Sequence, residues 1–158
     1  MEHSDRNAGT SSCPDCTAVL LIAHGSRRQS ANDDLHDLAA RLTARGTFPI
    51  VEACFLELSE PDIPTGGHNC VSRGASRVLL IPYFLSAGVH LRRDLTAARD
   101  ELSRLHPSVD FLLGAALGPH PLLDELVAER IRELDPRDPH NAAAIRPLSS
   151  IDTNLANQ

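Results

Sequence analysis

The sequence predicts a small doubly wound α/β sheet of about four mainly parallel strands with helices on both faces. Three observations predict it: short continuous apolar runs, amphipathic stretches at helical spacing between them, and short connections joining the two kinds of segment. At 158 residues the chain can bury one core and is short for two.

Residues 18–23 (AVLLIA) are a continuous apolar run ending at His24-Gly25, the pattern of a strand buried on both faces. From residue 30 to 45, Leu35, Leu38, Ala39 and Leu42 fall at i, i+3, i+4 and i+7, and Gly46 directly after them is a stop signal. Residues 50–56 (IVEACFL) read as a second strand and residues 77–85 (RVLLIPYFL) as a third. Pro82 removes one ladder donor and marks an edge, a bulge or a strand end.

Residues 61–73 between those strands predict only a weak helix, because Gly66 and Gly67 each cost about 1 kcal/mol relative to Ala. Leu91, Leu95, Ala98, Leu102 and Leu105 form a regular apolar stripe that Pro107 ends. A fourth strand is expected over 109–113 and a last helix over 121–134. Residues 1–17 and 135–158 lack periodicity and are expected as disordered tails flanking a domain over 18–134.

The net charge of −6 argues against a general nucleic-acid surface and favours recruitment of cations. No window approaches the roughly 18 uninterrupted apolar residues of a membrane helix, and residues 1–17 lack the pattern of a secretory signal. Cys13, Cys16, Cys54 and Cys70 are scattered rather than framed as a disulfide scaffold. A cytoplasmic protein without membrane or nucleic-acid partners is expected.

In an open α/β sheet, ligands bind outside the carboxyl ends of the strands. His24 follows the first strand, Glu57 ends the second, and His90 follows the third, so the topology alone brings three metal-competent side chains to one rim. Two imidazoles and a carboxylate suit cobalt, iron, nickel or zinc. Each histidine also precedes two arginines: His24-Gly-Ser26-Arg27-Arg28 and His90-Leu-Arg92-Arg93. Both stretches lead into helix starts, where free amides and the dipole favour anions. A ligand with several carboxylates around a metal-binding centre, such as a carboxylated tetrapyrrole, fits that layout.

A lone histidine at a strand end is more often a hydrogen-bonded structural residue, but repetition of the pattern at two strand ends favours the functional reading. His120 could line the same rim, although loop histidines are common there, and His36, His68, His106 and His140 receive the structural reading. Phosphoryl chemistry at a histidine is a rival, but such enzymes place arginine immediately before the histidine, where this chain has Ala23. A metal or tetrapyrrole carrier without turnover is a second alternative.

Four segments in order carry a resemblance: AHGSR (23–27), FLELSEP (55–61), IPYFLSAGVHLRRD (81–94) and LGPHPL (117–122). Over residues 18–134 the sequence resembles the small class II sirohydrochlorin chelatases, which insert cobalt or iron in cobalamin and sirohaem synthesis. The resemblance implies a chelatase-like fold and metal-binding, catalytic roles for His24, His90 and Glu57. Ser26, Arg27, Arg28, Arg92 and Arg93 would then bind the acidic periphery of sirohydrochlorin, with no cofactor beyond the substrate metal (cobalt, iron or nickel). It also implies a homodimer, because relatives pair two such domains across a cleft. Cys13-Pro-Asp-Cys16 has the spacing of half a metal site but lacks two further ligands, so a metal or cluster there is not expected.

Overall fold

The computed structural model describes residues 16–135; the expectations for residues 1–15 and 136–158, which include Cys13 and His140, lie outside the described residues. The elements are β1 (Thr17–Ala23), α1 (Gln29–Ala44), β2 (Ile50–Phe55), α2 (Ile63–Ser72), β3 (Arg77–Pro82), α3 (Val89–Leu105), β4 (Asp110–Leu113) and α4 (Pro121–Leu134). Two compact units divide at Gly118 and Pro119, so α4 belongs to the second and everything before it to the first.

In the first unit the sheet order is β2-β1-β3-β4 and every pairing is parallel. The uninterrupted apolar run of β1 follows from its position, since both its faces are covered. Ala18, Leu20 and Ile22 pack with Ile63 and Cys70 of α2 and Leu95 and Leu102 of α3. Val19 and Leu21, on the opposite face, pack with Leu35 and Ala39 of α1. The doubly wound architecture with helices on both faces is therefore present. Chain order reverses direction at β1, with β2 on one side and β3 on the other, which makes the carboxyl end of the β1/β3 boundary a topological switch point.

Two local expectations are corrected. The third strand stops at Pro82 rather than continuing to residue 85, and it lies inside the sheet. Pro82 is accommodated as the last rung, opposite Ile22, and the missing donor is followed at once by Tyr83, whose N–H bonds the Ile22 carbonyl at 2.7 Å.

The second correction concerns α2, which is a regular helix capped by Asp62, whose carboxylate accepts from the Thr65 amide at 2.9 Å. Its glycines are there for proximity. A Cβ on Gly66 would stand 2.8 Å from the Cys54 Cβ and 2.9 Å from Leu20 Cδ1, and one on Gly67 would stand 2.5 Å from Leu102 Cδ2. Helix propensity is sacrificed so that α2 can lie close to β1, β2 and α3.

The second unit is described by α4 alone. His120 caps it, its Nδ1 accepting from the Leu122 amide at 3.1 Å, and Pro121 occupies the first turn. None of its residues is buried, and Leu122, Leu126, Val127, Ile131 and Leu134 are exposed. Among the described residues no helix is long and apolar enough to cross a membrane.

Candidate functional site

The parallel pairing of β1 and β2 continues past the strand ends. The Leu56 amide donates to the Ala23 carbonyl at 2.9 Å and the Glu57 amide to the His24 carbonyl at 3.1 Å. That extra rung sets the two side chains abreast: His24 Nε2 lies 3.0 Å from Glu57 Oε1, with both side chains more than half exposed. Gly25 makes the approach feasible. Its φ is +93° and a Cβ there would stand 1.9 Å from the Glu57 carbonyl oxygen, so the position requires glycine.

After Glu57 the chain makes a tight excursion over residues 58–61, with Leu58 at φ +64° and its side chain exposed. The excursion is closed by the Phe55 amide, which donates to the Pro61 carbonyl at 2.9 Å. Such an outlier at a non-glycine residue is held by its surroundings and is common beside functional groups.

Asn32, in the first turns of α1, holds the two loops together and is the buried polar residue of the first unit's core, at 2% exposure. Its Oδ1 accepts from the Ser26 amide at 2.9 Å, and its Nδ2 donates to the Ser26 carbonyl at 2.8 Å and to Ser59 Oγ at 3.0 Å. One side chain thus fixes the loop that carries His24 to the loop that carries Glu57. Sequence reasoning missed this residue. The only signal was an asparagine at a position where the helix turns inward.

Ser26 is committed to the loop itself, its hydroxyl accepting from the Arg28 amide at 3.1 Å. Arg28 is the N-cap of α1 and supplies no side-chain cap, and Gly88 likewise leaves α3 uncapped. Apart from Ala31, whose amide bonds the Arg28 carbonyl at 3.1 Å, the amides of both first turns are therefore available to anions at the same edge of the sheet. α2, capped by Asp62, has no such capacity.

Arg27, Arg28 and Arg93 are exposed and form no ion pair among the described residues. Arg92 is partly engaged, because its Nε donates to the Ala87 carbonyl at 3.1 Å. His90 stands exposed in the first turn of α3, which leaves β3 on the side of β1 away from Glu57.

The rim thus brings His24 and Glu57 into contact and leaves His90 apart. Among the described residues no three metal-competent side chains are gathered at one point. Tyr83, Leu85 and Val89, exposed in the connection from β3 into α3, join Leu58 as an apolar border to this edge. His120 is used as the cap of α4. Imidazole and carboxylate together can hold or transfer a proton or bind a borderline cation, while the free amides and arginines suit an acidic ligand.

The family model CbiX matches residues 18–134. The chloroplastic sirohydrochlorin ferrochelatase of Arabidopsis thaliana is 34% identical over 118 residues, 75% of this chain and 52% of that protein. A sirohydrochlorin cobaltochelatase of Priestia megaterium is 32% identical over 117 residues, 74% of this chain and 38% of that protein. The sirohydrochlorin chelatase SirB of Bacillus subtilis subspecies spizizenii, solved in complex with cobalt, superposes with a TM-score of 0.69 at 28% identity, covering 75% of this chain and 50% of that one. The chain spans about half the length of the curated relatives it matches.

Proposed function

We propose, from the premise that this chain belongs to the CbiX family, that it is a sirohydrochlorin chelatase inserting a divalent cobalt or iron ion into the macrocycle. The observation that carries this reading is the His24–Glu57 contact at 3.0 Å, set at the carboxyl ends of adjacent strands beside two uncapped helix starts.

The reaction replaces two pyrrole protons by one dication, so it balances with metal and macrocycle alone and requires no redox partner or further cofactor. With His24 Nε2 facing the Glu57 carboxylate, the shared proton sits on Nε2 and Nδ1 keeps its lone pair. That nitrogen is the atom offered to the metal or to a departing pyrrole proton. His90 supplies the second imidazole from across the β1 end. Binding of the macrocycle between them assembles the ligand set that the free protein holds apart.

The acidic periphery of the macrocycle is received by Arg27, Arg28 and Arg93, by the amide groups opening α1 and α3, and by Arg92 once released from Ala87. Ser26 acts through the loop it braces. The apolar border of Leu58, Tyr83, Leu85 and Val89 suits the faces of a flat ring.

A homodimer completes the cleft in this reading. Its support is the exposed apolar residues of α4. Three free thiols among the described residues, Cys16, Cys54 and Cys70, support a reducing cytoplasmic setting.

The test is anaerobic incubation of the protein with sirohydrochlorin and cobalt or iron(II), following the visible spectrum beside a His24→Ala, His90→Ala variant. Insertion by the parent and its loss in the variant support the reading. Binding of the tetrapyrrole without a rate above the metal-only blank would replace it with a carrier function.

A further inference from the structure

Away from the strand-end rim, Pro64, Thr65, His68, Leu105 and His106 line a cavity of about 400 Å³ between the start of α2 and the end of α3. His68 and His106 lie 38 positions apart in sequence and face each other there, with ring centroids 5.6 Å apart and planes inclined by 33°. Neither ring takes part in a hydrogen bond or ion pair among the described residues. His106 is half-buried and steadied by Phe111 on its far side, at a centroid distance of 6.1 Å, while His68 is exposed.

Two imidazoles that share one metal ion bind it at about 2.0–2.1 Å from nitrogen, which places each ring centroid roughly 3.2 Å from the ion. At angles between tetrahedral and trigonal the centroids are then about 5.2–5.5 Å apart, close to the separation observed.

The electrostatics agree. His106 caps the carboxyl end of α3, where the last carbonyls favour a cation. The nearest basic side chain of that turn, Arg104, is neutralised by a two-nitrogen contact with Glu101 at 2.9 and 2.6 Å. Thr65 lines the same cavity, its side chain hydrogen-bonded to the Asp62 carboxylate.

We infer that His68 and His106 form a second metal site, taking a divalent transition-metal ion of the zinc, nickel or cobalt class with water completing its coordination. The site is independent of the His24–Glu57 pair and of whether the protein turns over a tetrapyrrole.

Nickel(II) alone, without macrocycle, is the probe. In NMR spectra of the unsubstituted protein, substoichiometric nickel is expected to broaden the His68 and His106 ring signals together. In calorimetric titrations His68→Gln and His106→Gln are each expected to lose at least tenfold in affinity at one binding event, while His24→Ala, His90→Ala retains that event. Unchanged His68 and His106 signals, or a His68→Gln titration matching the parent, would overturn the inference. So would disappearance of all nickel binding in the His24→Ala, His90→Ala variant.

Discussion

The His24 imidazole and the Glu57 carboxylate meet at 3.0 Å because the β1–β2 pairing continues past both strand ends, to the hydrogen bond from the Glu57 amide to the His24 carbonyl. The contact is thus a property of sheet register as much as of the two side chains. Glu57→Gln preserves shape and a hydrogen bond but removes the charge that, in the proposed mechanism, fixes the His24 tautomer. The expected result is a 10- to 100-fold fall in insertion rate, the usual scale for a partner that orients a ligating histidine, with tetrapyrrole affinity little changed. Initial rates and equilibrium binding of sirohydrochlorin measured on the same variant check it.

Asn32→Ala removes three hydrogen bonds at a buried position and leaves the Ser26 amide and carbonyl without their partner. Unsatisfied buried groups of this kind cost about 1–3 kcal/mol each where water cannot reach them. A loss of roughly 2–4 kcal/mol in denaturant unfolding is expected for the variant. Its insertion rate should fall as well, because the two loops it ties carry His24 and Glu57. A stable but slow variant at Asn32→Asp, which keeps the acceptor and loses the donor, would separate positioning from folding.

The two helical glycines give a prediction of unequal size. At Gly66 an added methyl meets the Cys54 Cβ, which is anchored to the backbone, whereas at Gly67 it meets the terminal methyls of the buried Leu102, which lie farther from the backbone. Alanine in a helix recovers up to about 1 kcal/mol relative to glycine, while overpacking costs about 1–3 kcal/mol. Both substitutions are therefore expected to destabilise, Gly66→Ala more than Gly67→Ala. Equal losses in thermal unfolding would show that Leu102 is held as firmly against α2 as Cys54.

These sites also show where the sequence was legible. Strand ends and helix stripes are encoded by neighbours in the chain, so β1, α1, α3 and the strand-end positions of His24 and Glu57 could be read directly. Gly66 and Gly67 were misread as weakness because propensity is local, while their reason is the approach of Leu20, Cys54 and Leu102 from other elements. Asn32 was invisible for the same cause, since one partner, Ser59, is 27 positions away. The run after Ile81 looked like continuing strand, yet Pro82 closes the ladder and turns the chain toward α3. His90 was expected on one rim with His24 and Glu57; the topology puts it on that edge but not in their contact, because it leaves from the far neighbour of β1.

Asp62 tests the start of α2 through pH. Its carboxylate is held below the usual value of 3.8 by the side-chain and then the backbone hydrogen bond with Thr65. A lowered value means that the charged form belongs to the folded state, so the cap contributes fully above the ordinary value and fades as pH falls below it. Asp62→Ala is expected to cost about 1 kcal/mol near neutrality and progressively less toward pH 3. Unfolding midpoints of parent and variant across that range measure the convergence; a constant difference would assign the loss to packing instead.

The buried thiols make the opposite prediction at alkaline pH. Cys54 lies under Gly66 and Cys70 within α2, both in the core that joins α2 to the sheet. Burial raises the Cys54 thiol far above its ordinary value of 9.0, and burial, followed by the Glu52 charge, pushes Cys70 up to about 12. At pH 9 a thiol at about 12 is ionised in roughly one molecule in a thousand. Neither should react with a disulfide reagent in the folded protein at pH 8, and both should react on unfolding. The sign of the stability effect follows from the same shift: the folded state prefers the neutral thiols, so their contribution is complete below about pH 9 and declines as pH rises toward 12. Cys54→Ala, which removes the thiol but leaves a small cavity, should start less stable at pH 7 and lose less between pH 9 and 11 than the parent. Rapid labelling of two buried thiols at pH 8 without unfolding would show instead that α2 opens from the sheet on the labelling timescale, and the close packing at Gly66 would then be a transient arrangement.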